Sequence, residues 1–151
     1  MRQRTGRAVA CGVLAGLLVA GLPARAETVE VVLRMTRNMT EGPVRAGTVL
    51  GRGDIHSGVT HSGYALWLDN AADGDRAGCY RLTGKVDRGH VVRVCLSGDG
   101  WYAGERGGSP DRRWVFPGSD RGVAFSLVSA VDQTIPADTY VIRVNAAVRE
   151  D

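Results

Sequence analysis

Few side chains in this sequence have the type and spacing to do chemistry. His56, His61 and His90 are candidate metal ligands or general bases. His56 and His61 lie five residues apart, which on one strand sends them to opposite faces. No carboxylate–histidine pattern of a metal or hydrolase motif surrounds any of the three. We read them as surface or structural histidines, with His61 ordering the turn before Tyr64. There is no nucleophile–base pair and no paired carboxylates in a recognisable setting, so a secreted hydrolase is the least supported class. No catalytic residue, metal ligand or cofactor is assigned. The expectation is a protein that binds rather than reacts.

Two features could serve binding. Arg52-Gly53-Asp54, within "LGRGDIHSG", is the tripeptide that many adhesion ligands present to integrins. In a chain this rich in Arg, Gly and Asp it should arise by chance in roughly one such sequence in five or six. The second is a set of tryptophans and arginines. Trp67, as a strand tryptophan of a sandwich, is expected in the core. Trp101 and Trp114 are the more exposed candidates for ligand contact, and the polar, Gly-rich "ERGGSPDRRW", with Arg112 and Arg113, reads as the longest irregular loop. Asn38-Met39-Thr40 fits a glycosylation sequon by chance.

The first 26 residues read as a leader rather than part of the fold. Basic "MRQRTGR" precedes an apolar run too short to be a comfortable membrane span, and "PARA" offers small residues for cleavage after Ala26. Arg2, Arg4, Arg7 and Arg25 would leave with it. The 19 basic residues of the whole chain then fall to 15 against 16 acidic, a formal net charge of −1. The whole-chain pI near 9.0 therefore gives no support for a nucleic-acid or anionic-membrane partner. Residues 27–151 suit a single exported domain. Of its two cysteines, Cys79 and Cys95, neither has a second nearby at zinc-ligand spacing. In an exported protein a disulfide between them is expected, stabilising by about 3 kcal/mol.

The elements that would position these residues are short strands. Stretches rich in β-branched and aromatic residues alternate with Gly, Asp, Asn and Pro clusters, without useful helical periodicity. They are 28–35, a weaker 48–55, 63–69, 79–84, 90–97, "WVF", 122–129 and 139–148. Segments 79–84 and 90–97 read as a hairpin centred near Asp87, which sets Cys79 opposite Cys95. "SGDGW" is a tight turn. Tyr140, after the Pro-containing corner "TIPADTY", matches the tyrosine corner of an immunoglobulin-like antiparallel sandwich.

Such a sandwich has one more strand after the corner strand, and "VNAAVRED" only finishes the latter. The expected fold is an incomplete immunoglobulin-like sandwich lacking its final strand. Its open groove would be lined by Val31, Leu33, Tyr140, Ile142 and Val144. A strand donated by another subunit would close it. Because "TVEVVLRM" starts one residue after the expected cleavage site, the chain could accept such a strand but not donate one. It would then sit at the end of a head-to-tail fibre.

"THSGYALW", "GHVVRVCLSGDGW" and "VFPGSDRGVAFSLVSAVDQTIPADTYVIRV" resemble, in order and spacing, the AfaD/DraD invasins, tip subunits of Afa/Dr-type chaperone–usher fimbrial adhesins. The resemblance spans nearly all of 27–151. It implies a periplasmic chaperone, an outer-membrane usher, an adjacent fimbrial subunit that donates a strand, display at the cell surface, and host-cell attachment and entry through integrins, with neither catalysis nor cofactor. It places Arg52-Gly53-Asp54 in the second strand rather than at a loop tip. Members of the family carry cysteines on an early strand and the last strand, whereas 54–57 and 145–147 here have none. The rival readings are an autonomous secreted immunoglobulin- or fibronectin-like binding module and a repeating polyadhesin subunit.

Overall fold

Alternation of side chains decides which face of each strand is buried. The computed structural model describes residues 2–5, 10–11, 29–74, 76–106 and 109–150. Within it Val29, Val31 and Leu33 are buried, while Glu30 and Val32 and Arg34 between them are exposed. The strands are β1 (Arg2–Thr5), β2 (Ala10–Cys11), β3 (Val29–Met35), β4 (Gly42–Val44), β5 (Val49–Ser57), β6 (Gly63–Leu68) and β7 (Ala71–Ala72). They continue as β8 (Cys79–Thr83), β9 (Val91–Ser97), β10 (Tyr102–Arg106), β11 (Ser109–Pro117), β12 (Gly122–Ser129), β13 (Gln133–Ile135) and β14 (Arg143–Glu150).

One sheet has the order β14-β6-β11-β10, with β1 and β2 on the far edge of β14. The other has the order β3-β5-β12-β9-β8-β7. A small β13-β4 pair stands apart, and every pairing is antiparallel. The core forms where the inner faces meet: Tyr64, Leu66, Val144, Ala146 and Val148 on one side, Val31, Leu33, Ile55, Phe125 and Leu127 on the other. This is the all-β sandwich that the short strands announce.

The stretch 48–55, read as weak, forms the interior strand β5, paired along its length with both β3 and β12. Its glycines have a packing reason. A Cβ on Gly53 would strike the Phe125 ring of β12 and come within 2.7 Å of the Val32 carbonyl. Gly53 thus lets an aromatic ring lie across the strand, and aromatic packing replaces the side chain it lacks.

Three expectations need correction. "ERGGSPDRRW" is not an irregular loop: β10 and β11 form a hairpin in which Arg106 pairs with Ser109 and Tyr102 with Val115. Gly107-Gly108 between two strands was the available signal. The tryptophans exchange roles. Trp101 is only 7% exposed, its ring packs on Phe116 and Phe125, and its indole N–H donates to the Ala124 carbonyl at 3.0 Å. It is a core residue and offers no face to a receptor. Its position follows from the Gly98–Gly100 turn, where Gly100 has φ +86° and a Cβ on Gly98 would meet the Trp101 indole at 2.6 Å. Trp67 alternates the other way from Tyr64, Leu66 and Leu68, so it lies half-buried on the outer face rather than in the core.

The hairpin around Asp87 is as expected. Cys79 pairs directly with Cys95, and the two form a disulfide between β8 and β9 with a Cα–Cα distance of 4.0 Å.

Candidate functional site

The site is built around two strands, β3 and β14, that face each other across the sandwich. β14 is laid down by the corner before it. Tyr140 donates its hydroxyl hydrogen bond to the Pro136 carbonyl at 2.6 Å, as a tyrosine corner requires. Asp138, its side chain inaccessible to solvent, accepts from the backbone N–H groups of Val86 at 2.9 Å, Asp87 at 3.0 Å and Thr139 at 2.6 Å. His90 Nδ1 lies 2.9 Å from the same carboxylate. The Val86 N–H, with the Asp87, Thr139 and His90 contacts behind it, holds this carboxyl well below the usual carboxylate range against the opposing effect of burial. Burial, and then the Asp138 charge, push the Tyr140 phenol up. The 84–90 turn is therefore clamped to the start of β14, with Gly84 bridged to Tyr140.

At the other end of β6, the Tyr64 hydroxyl donates towards the carbonyls of Asp120 at 2.6 Å and Arg121 at 3.0 Å. His61 sits beside it, ring centroids 4.5 Å apart, with Nε2 3.0 Å from the Asp120 carbonyl. Burial first, and the Asp120 charge second, raise the Tyr64 phenol.

Four of the expected groove residues, Val31, Leu33, Ile142 and Val144, are each at most 5% exposed, and Tyr140 packs against the same core from its corner. A cleft of about 480 Å³, lined by Met35, Met39, Ile135, Tyr140 and Ile142, opens at the corner end. Among the described residues β3 has one strand neighbour, β5. β14 uses one edge for β6, from Val144 opposite Leu68 to Arg149 opposite Gly63. On its other edge lie β1, with Arg2 opposite Glu150 and Thr5 opposite Ala147, and β2, with Ala10 opposite Val144 and Cys11 opposite Arg143. The two registers differ, and among the described residues none pairs with Asn145 or Ala146 on this edge. Both short strands come from the segment read as leader. Asn145 Nδ2 is enclosed and finds no hydrogen-bond partner among the described residues, as is also true of Trp114 Nε1.

The candidate contact residues are not gathered into one site. Arg52 and Asp54 point outward from the middle of β5, and Asp54 lies 3.8 Å from Arg34. The guanidinium of Arg113 sits 3.9 Å over the Trp67 ring on the outer face of the other sheet. Trp114 is half-buried, with its ring against Gly78. The Arg112 side chain lies outside the described residues.

Residues 40–146 match the Enterobacteria AfaD invasin protein family. The chain belongs to that family. AfaD-type proteins are adhesive fimbrial subunits and not enzymes, and this chain is homologous to chaperone–usher fimbrial adhesin and tip subunits. The Salmonella SafD adhesin is similar in structure, with a TM-score of 0.73 and 28% identity over 83% of this chain and 90% of that one. The Escherichia coli Hda pilus minor tip subunit, HdaB, shares the fold at a TM-score of 0.74 and 20% identity, covering 83% of this chain and 85% of its own. So does a structure of enteroaggregative E. coli AAF fimbriae concerned with fibronectin binding and biofilm formation, at 0.71 and 22% identity over 82% and 87% of the two chains. No curated protein sequence matches the chain significantly. The AfaD-type chain keeps the immunoglobulin-like sandwich of these subunits, with its disulfide on β8 and β9.

Proposed function

We propose that this chain is the tip adhesin or invasin subunit of a chaperone–usher fimbria. It receives an extended strand along β14, first from a periplasmic chaperone and then from the adjacent subunit. The observation that carries this reading is the edge of β14. Its partners there, residues 2–5 and 10–11, belong to the segment we expect to be cleaved off during export, while β3 across the groove has no second strand among the described residues. Once that segment leaves, a row of backbone N–H and C=O groups on β14 and the apolar residues beside it lack a partner, which a donated strand supplies. With cleavage after Ala26, β3 starts almost at the new N-terminus, which leaves nothing to donate and favours the fibre end.

The usher would deliver the subunit to the cell surface. There the outward-facing residues of β5, including Arg52 and Asp54, and Arg113 on Trp67 are the surfaces we assign to a host-cell receptor, an integrin by family resemblance. Arg52 and Asp54 would act there as part of the sheet face and not as an integrin-type turn, because Arg52-Gly53-Asp54 lies in an interior strand with its backbone paired on both sides. Gly53 is accounted for by Phe125.

The test is the unfolding equilibrium of the exported, oxidised chain, alone and with an alternating apolar strand fused through a flexible linker after Asp151. Marginal stability alone and a firm cooperative transition with the fused strand are expected. Ordinary cooperative stability without any added strand would overturn the proposal and favour an autonomous binding module.

A further inference from the structure

On the outer face of β14, Asn145 is directly opposite Trp67 of β6. That neighbour cannot satisfy it. A tryptophan side chain offers only an N–H, and the Arg113 guanidinium lying 3.9 Å over the Trp67 ring is likewise a donor without acceptor capacity. The β6 neighbour therefore offers the enclosed Asn145 Nδ2 no side-chain acceptor, and this donor finds no partner among the described residues. A buried amide hydrogen without an acceptor is costly, and native proteins leave few of them. The other strand neighbour of Asn145 lies on the opposite edge of β14. There Thr5 aligns with Ala147 and Ala10 with Val144, two registers that differ by two residues. Among the described residues, neither short strand sets a residue opposite Asn145 or Ala146.

We infer that Asn145 selects the strand that β14 receives: the residue of that strand directly opposite Asn145 carries a side-chain hydrogen-bond acceptor. This rests on the proposed strand acceptance and adds a polar requirement to a contact otherwise made by backbone and apolar side chains. Residues directly opposite in an antiparallel pair have Cβ atoms about 5 Å apart, within reach of an amide, carboxylate or hydroxyl oxygen. A strand in continuous register places that oxygen at Nδ2. An aliphatic residue at the same position leaves the amide buried and unpaired. Two strands that fill the groove equally well are then distinguished by a single outward position. Exposed Arg143, two residues away on the same face, adds positive charge that favours a carboxylate there over a lysine.

The experiment uses the full chain expressed for export, with an alternating apolar strand fused after Asp151. The strand carries either Asn or its near-isostere Leu at the position opposite Asn145. Denaturant unfolding is compared in the native chain and in Asn145→Leu, with Asn145→Ala as a second variant should the first not be recovered folded. In the native chain the Asn-bearing strand should raise the folding equilibrium constant about tenfold over the Leu-bearing one, the scale of one hydrogen bond to an otherwise unpaired group. In the Asn145 variants that preference should vanish or reverse. If both strands firm the native chain equally, Asn145 does not select and the inference falls, while strand acceptance stands. If neither strand firms the chain, strand acceptance itself is wrong, and the inference goes with it.

Discussion

The glycine of Arg52-Gly53-Asp54 shows how a residue that invites a functional reading can be fixed by packing. With the Phe125 ring and the Val32 carbonyl where a Cβ would go, Gly53→Ala must push apart two strands of the sheet. In the strand-completed chain we expect it to cost about 2 kcal/mol, within the range for overpacking a core. Arg52→Ala and Asp54→Ala should each change stability by less than about 1 kcal/mol, because the Asp54–Arg34 pair is long and solvent-exposed. Urea midpoints for the three variants test this. A harmless Gly53→Ala would show that the ring does not need the space. Tyr140→Phe removes the hydroxyl donated to Pro136 and should cost about 1 kcal/mol in the same measurement.

At the scale of elements, two clamps hold strands whose sequences alone would hold them weakly. The Cys79–Cys95 disulfide ties β8 to β9 across a direct pair. Reducing it, or replacing both cysteines by serine, should lower stability by about 3 kcal/mol and leave the strand content unchanged by circular dichroism. Asp138 ties the 84–90 turn to the start of β14 through backbone N–H groups that only the ionised carboxylate satisfies fully. Its pKa in the folded chain lies below the ordinary 3.8, so its contribution is fully present above that value and is lost as pH falls below it. Asp138→Asn should therefore destabilise at neutral pH, with the gap to the parent narrowing once the pH drops below about 4. A gap that stays constant from pH 7 to pH 3 would remove the carboxylate from this role.

For the whole molecule, the decisive quantity is the second edge of β14. Amide hydrogen exchange along 143–150 reads it directly. With a fused strand these amides should exchange with the global unfolding of the sandwich, and in the processed chain without one those that point away from β6 should exchange many times faster than those of β5 and β12, which have partners on both sides. Equal protection in both forms would mean that the edge is already closed.

What the sequence by itself determined is local or follows from a short separation. The β-branched and aromatic stretches marked the strands, Val31, Leu33, Ile142 and Val144 were placed inward, and a sixteen-residue spacing about a turn near Asp87 brought Cys79 to Cys95. Tyr140 four residues after Pro136 carried the corner. The ordered set of motifs carried the family. The hairpin of β10 and β11 was missed because charged and glycine residues hid its alternation. Only the tertiary structure decided which tryptophan is buried, why position 53 is glycine and what surrounds Asn145. Each depends on a partner in another strand: Trp101 on Phe125 and the Ala124 carbonyl, Gly53 on Phe125, Asn145 on Trp67 under Arg113. Alternation tells a side chain which face it takes, but what covers that face is set by strands that meet only when the sheets pack.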